Sequence, residues 1–102
     1  MTKKNNFFAV IRPYRNDFIT NPKEQEDKIM SDHFHYLESL LKQKQLFLAG
    51  PTLIPEDPFG IIILEVETEE QAKELLEKDP SIKAGIQNIA DFRPIRLSLT
   101  RN

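Results

Sequence analysis

Ile29-Met30-Ser31-Asp32-His33-Phe34-His35-Tyr36-Leu37-Glu38-Ser39-Leu40-Leu41 has the spacing of an amphipathic helix, and Leu46-Phe47-Leu48-Ala49 behind it has the composition of an apolar strand that Gly50-Pro51 breaks. At about 100° per residue, Ile29, His33, Tyr36, Leu37, Leu40 and Leu41 share the stripe that must face a core. His33 lies in the middle of that stripe. His35 falls on the opposite side with Glu24, Lys28, Ser31 and Lys42, so the two histidines do not form a pair. An imidazole on an apolar stripe is costly unless its nitrogens find hydrogen-bond partners, so a polar group must meet His33 from across the core. Two uses of such a histidine remain open: a satisfied core residue, or a general acid or base at the mouth of a pocket.

Outward from this stretch, the chain divides into short elements. Phe7-Phe8-Ala9-Val10-Ile11 predicts a first strand, ended by Pro13 and a polar segment to Asn21. Arg12, Tyr14 and Arg15 close it. These arginines are either solvated surface charge or an anchor for an anionic group. Asn21-Pro22-Lys23-Glu24 predicts a helix start with Asn21 as N-cap and Pro22 in the first turn, the helix running to Lys44. There Lys44-Gln45 stands where glycine would most easily take a left-handed conformation, which predicts a slightly strained junction. Thr52 to Phe59 is a loop or the bend of a hairpin, and Gly60-Ile61-Ile62-Ile63-Leu64-Glu65-Val66 is the strongest strand signal, apolar enough to be covered on both faces at its centre.

Thr68-Glu69-Glu70-Gln71 is a capping box opening a second helix to about Lys78, with Ala72, Leu75 and Leu76 inward. Glu69 with Lys73, and Glu74 with Lys78, are i,i+4 pairs in the favourable order. Asp79-Pro80-Ser81 begins a short extra turn, Asp79 as N-cap and Pro80 first, ended by Gly85. Gln87 to Thr100 predicts the last strand, in which Ile95, Leu97 and Leu99 alternate with polar residues and Pro94 marks an edge or a bulge. The order β-α-β-β-α-β is the split βαβ pattern, an α+β ferredoxin-like fold with a four-stranded antiparallel sheet and two helices on one face. Two helices cover only one side of strands that are apolar on both. A second copy's sheet is the expected cover, which predicts a homodimer.

Composition limits the function. The 102 residues suit a single domain over 1–102, with the first six and last two residues expected to fray. A net charge of −2 without a basic cluster argues against nucleic acid. The chain has no cysteine, which removes disulfides and thiolate chemistry, and its two histidines point apart, so no metal site and no cofactor are expected. The apolar run from Phe7 to Ile11 is too short for a signal peptide or a membrane span, so no membrane partner and a cytoplasmic location are expected.

The chain resembles the YCII-like (YciI) family of the dimeric α/β-barrel group. The resemblance is carried by His33 with Tyr36-Leu37 and Leu40, by Leu46 to Pro51 ending in Gly-Pro, by Gly60, Glu70, Ala72, Asp79-Pro80 and Gly85, and by Arg93-Pro94. His33 stands seventeen residues before Gly50, as in the family pattern. The departures are Lys44 in place of glycine, Ser81 where an aromatic residue commonly follows Asp-Pro, and a longer polar segment before the first helix. The resemblance implies a His33–Asp79 pair as the catalytic site, with Arg12, Tyr36, Gly50, Pro51 and Arg93 as ligand-binding candidates. It also implies a small cofactor-free enzyme performing acid/base chemistry of a lyase or dehydrochlorinase kind on a small molecule, aromatic or carboxylated compounds among the candidates. The alternatives are a non-catalytic small-ligand-binding or sensory dimer, and a protein that contributes only a subunit interface.

Overall fold

Alternation along β1 (Asn5–Pro13) sends Phe7, Ala9 and Ile11 to one side and Phe8, Val10 and Arg12 to the other, and this division organises the whole sheet. The structure is a computed structural model that describes residues 4–101. Its elements follow in the order β1, α1 (Glu24–Lys42), β2 (Leu46–Pro51), β3 (Gly60–Val66), α2 (Glu69–Glu77), α3 (Pro80–Lys83) and β4 (Gln87–Ile95). The four strands form one antiparallel sheet in the order β2-β3-β1-β4, the ferredoxin-like arrangement. Phe7, Ala9, Ile11, Leu46, Ile62, Leu64 and Val66 pack from the sheet against Leu40 of α1 and Ala72 and Leu76 of α2. Phe7 and Phe92 of neighbouring strands stack with ring centres 5.8 Å apart. No described helix is long and apolar enough to cross a membrane.

Several boundaries differ from the sequence reading, each for a physical reason. The first strand begins at Asn5, because Asn5 and Asn6 pair with Val66 and Glu65; they do not fray, while residues 1–3 and 102 lie outside the described residues. The N-cap of α1 is Lys23, not Asn21. Asn21 closes the preceding turn instead, its N–H donating to the Asp17 carbonyl and its carbonyl accepting from Arg15. Gly50-Pro51 does not break β2: both pair with β3, opposite Ile61 and Gly60, which an edge strand tolerates because its outer N–H needs no partner. The last strand stops at Ile95, so Leu97 and Leu99 lie beyond it and Leu99 is exposed. The edge position inferred from Pro94 holds, and a register shift opposite Val10/Ile11 bends β4 as well. Of the two helix-face ion pairs, Glu69–Lys73 closes at 3.3 Å, while Glu74–Lys78 is not formed.

The segment between β1 and α1 is held by a buried carboxylate. Glu26, 3% exposed, accepts from the Tyr14 hydroxyl, from both Nε and Nη2 of Arg15, and from the Lys23 backbone N–H at 2.9 Å. Every lone-pair direction of the carboxylate that burial would otherwise orphan therefore has a donor. Hydrogen bonding to Arg15, and next to Tyr14, holds the Glu26 carboxyl down from an ordinary 4.5 to about 2 against the opposing effect of burial. A folded-state pKa below the unfolded one contributes stability that is complete above pH 4.5 and is lost as the pH falls toward 2. The melting temperature should therefore fall through this window in the native protein and change less in Glu26→Gln, which is less stable at neutral pH. Parallel melting curves for the two proteins from pH 6 to 2 check this.

The helix ends supply a second prediction. At the end of α3 the Gly85 N–H donates to Ile82 and the Ile86 N–H to Ser81, with Gly85 at φ 75°. At the end of α1 the Lys44 N–H donates to Leu41 and the Gln45 N–H to Leu40, with Lys44 at φ 63°. These are the same Schellman motif, closed once by glycine and once by lysine. Only lysine carries the steric cost of the left-handed conformation. Lys44→Gly should stabilise the fold by about 0.5–1 kcal/mol after the extra chain entropy of glycine is set against that cost, a gain readable by denaturant titration.

Candidate functional site

His33 sits on the sheet-facing side of α1, two turns before the buried Leu40, while α2 ends at Glu77 and delivers Asp79 to the same depth. His33 Nδ1 donates to Asp79 Oδ2 at 2.6 Å, and the carboxylate is completely buried. The other oxygen, Oδ1, accepts from the Ser81 backbone N–H and stands 2.9 Å from the Ser81 hydroxyl. Asp79 thus caps α3 with one oxygen and meets His33 with the other, so the cap and the histidine partner are one group acting twice.

Ser81, fully buried, extends the cluster. Its Oγ lies 3.3 Å from His33 Nδ1 and 2.8 Å from the side-chain amide of Gln87, the first residue of β4. No buried side-chain nitrogen or oxygen among the described residues lacks a partner. Ser81 is the position noted as a departure from the family pattern after Asp-Pro, and here its hydroxyl is buried among polar partners. The Ser81–Gln87 contact escaped the sequence reading because it joins a helix cap to the next strand.

The imidazole lines a cavity of about 630 Å³ between α1 and the β2 side of the sheet. Its walls are Phe18 and Ile19 from the segment held by Glu26, Met30, Phe34, Leu37 and Leu41 from α1, and Leu46 to Thr52 from β2 and its end. Leu41, expected inward, is 52% exposed because this part of the stripe faces the cavity rather than packed side chains. Gly50 and Pro51 line the cavity as well, and a Cβ added at Gly50 would meet nothing within 4 Å, so packing alone does not demand glycine there.

The remaining candidates lie elsewhere. The Tyr36 hydroxyl donates to the Leu75 carbonyl at 2.6 Å, tying α1 to α2 outside the cavity; burial first, and the Asp79 charge second, push its pKa up. Arg12 pairs with Asp57 at 2.9 Å and lies over the Phe59 ring, and Arg93 pairs with Asp91. Strand alternation places both arginines on the sheet face opposite the helices, with Phe8 and Val10, so neither reaches the cavity. His35 is exposed on the far face of α1, 3.6 Å from Glu38, as its phase required. Among the described residues no three His, Cys, Asp or Glu side chains gather as metal ligands.

Three solved structures share this fold. The 5-chloro-2-hydroxyhydroquinone dehydrochlorinase of Burkholderia phenoliruptrix, solved with 2,5-dihydroxybenzoquinone, is 24% identical over 90% of this chain and 93% of its own, with a TM-score of 0.61. The protein YJCS is 17% identical over 94% of this chain and 100% of its own, with a TM-score of 0.56. The uncharacterised protein TM1266 of Thermotoga maritima is 11% identical over 92% of this chain and 100% of its own, at 0.50. No curated protein sequence matches the chain. The YCII-related domain matches residues 6–96, from the start of the sheet to the end of its last strand, and the chain belongs to the YCII-related family.

Proposed function

We propose that the chain is a small-molecule enzyme in which His33 and Asp79 perform acid/base chemistry at the floor of the apolar cavity. The observation that carries this reading is a buried carboxylate 2.6 Å from His33 Nδ1, with the imidazole lining a ligand-sized cavity. A proton held on Nδ1 by Asp79 leaves Nε2 with a lone pair, so that nitrogen is the one able to take a proton from a bound molecule. The carboxylate then stabilises the imidazolium that forms. The dehydrochlorinase among the structural neighbours suggests a redox-neutral elimination: a proton goes to His33, its bonding electrons form a new π bond, and chloride leaves with the electrons of the broken C–Cl bond.

His33→Gln keeps much of the volume and a hydrogen bond, so it should retain ligand binding while losing about 10²–10⁴ in rate. Asp79→Asn preserves the cap, asparagine being about as good an N-cap, yet withdraws the negative charge from Nδ1. Nitrogen chemical shifts of the His33 ring should report a dominant Nδ1–H tautomer in the native protein and its loss in Asp79→Asn, with a comparable fall in rate. An unchanged tautomer, or full activity in His33→Gln, would leave a ligand-binding dimer as the better reading.

The second copy belongs to the same proposal. Phe8, Val10, Ile61 and Ile63 lie on the sheet face that α1 and α2 leave uncovered. We infer that a second copy packs there sheet against sheet. Sedimentation equilibrium should give a dimer at micromolar concentration, and a well-folded monomer at that concentration would overturn the pairing.

A further inference from the structure

We propose that Gln87, oriented by Ser81, is the second polar contact of the cavity and that with His33 it selects an uncharged, mainly apolar ligand bearing a hydroxyl, which can donate to His33 Nε2 and accept from the Gln87 amide, over a carboxylated one. Gln87 is 8% exposed and lines the cavity, and one end of its side-chain amide meets the Ser81 hydroxyl at 2.8 Å. The Ser81 hydroxyl meets the amide oxygen, the amide nitrogen has no hydrogen-bond partner among the described residues, and no buried side-chain polar atom among them is left unpartnered, so that nitrogen keeps exposure on a residue that lines the cavity. The same reasoning applies to His33 Nε2. Ser81 joins the two groups, standing 3.3 Å from His33 Nδ1. Its single hydroxyl proton has two acceptors in reach, Asp79 Oδ1 and the amide, so the orientation of Gln87 is coupled to the carboxylate that holds His33.

Charge supplies the selectivity. Among the described residues no lysine or arginine lines the cavity; Glu38 is the one carboxylate at its wall, and Asp79 stands behind His33. Arg12 and Arg93 are paired with aspartates on the opposite face of the sheet. An anion entering this space would leave water without a fixed cation to meet it. A neutral ring would bury its body against Leu37, Phe47 and Ile62 and place one oxygen between His33 and Gln87.

The inference rests on the cavity being the active site, but it is tested by binding and not by turnover, so it can fail or succeed whether or not His33 moves a proton. The chain has no tryptophan, which lets the fluorescence of naphthyl probes be read directly. At pH 7 the intact protein should bind 2-naphthol at least about tenfold more tightly than 2-naphthoate. Gln87→Met should weaken 2-naphthol about tenfold while leaving 2-methylnaphthalene unchanged, because only the polar contact is removed. Ser81→Ala should shift 2-naphthol in the same direction by a smaller factor, again sparing 2-methylnaphthalene, a pattern that general loosening of the fold would not produce. Equal affinity for 2-naphthol and 2-naphthoate overturns the inference, as does failure of both to bind at millimolar concentration. A Gln87→Met variant that weakens both neutral probes alike, or neither, also overturns it. The comparison of probes on the native protein needs no variant and stands even if Gln87→Met does not fold.

Discussion

The buried carboxylate of Asp79 is the constraint on which the site depends. It is completely buried, and a charge in that position is tolerated only because each oxygen has its own donors. One set belongs to the start of α3 and the other to His33 of α1. The contact therefore spans two helices that are far apart in sequence, and Ser81 carries it on to β4. Removing a partner from such a group leaves an uncompensated buried charge, so the elements it joins are fixed relative to one another more firmly than apolar packing alone would fix them.

Glu26 plays the corresponding part at the start of α1. Its partners, Tyr14 and Arg15, come from the chain that leaves β1, and Arg15 also holds the Asp17 side chain and the Asn21 carbonyl. This keeps Phe18 buried against the Tyr14 ring and sets Phe18 and Ile19 as one wall of the cavity. The polar cluster does not enter the cavity. Its effect there is to position apolar surface, because a segment of this length with few apolar residues could not hold that place by burial alone.

What was legible in the sequence was local. The phase of α1 placed His33 inward and His35 outward, the Thr68–Gln71 capping box closed as spaced, Asp79-Pro80 opened α3, and Lys44 took the left-handed conformation its position required. Each of these is decided within four or five residues by backbone donors and side-chain reach. The element order was enough for the ferredoxin-like sheet, since few arrangements of βαββαβ cover the apolar strands. The misses were the features that tertiary contact decides. Asn21 is a good N-cap by propensity, but Arg15 and Asp17 claim its backbone, and Glu26 reaches back to Lys23 instead. Gly50-Pro51 looks like a stop in isolation and becomes strand once β3 offers it partners.

The ligand candidates divide along the same line. Arg12 looked suited to an anion because an arginine at a strand end is indistinguishable, in sequence, from an arginine at a site, while Arg93 was a ligand-binding candidate only through the family resemblance. Strand alternation settles which it is: Ile11 and Phe92 occupy the helix side, so their neighbours Arg12 and Arg93 must face away. The cavity is left with a polar floor of imidazole and amide, joined behind it by the buried Ser81 hydroxyl, under walls that are almost wholly apolar. In such surroundings the few polar atoms carry most of the discrimination, since apolar contact favours any ring of suitable size while an unmatched polar atom is penalised. Ser81 has a chemical meaning beyond size: behind the cavity, its hydroxyl links the histidine partner to the amide that lines it.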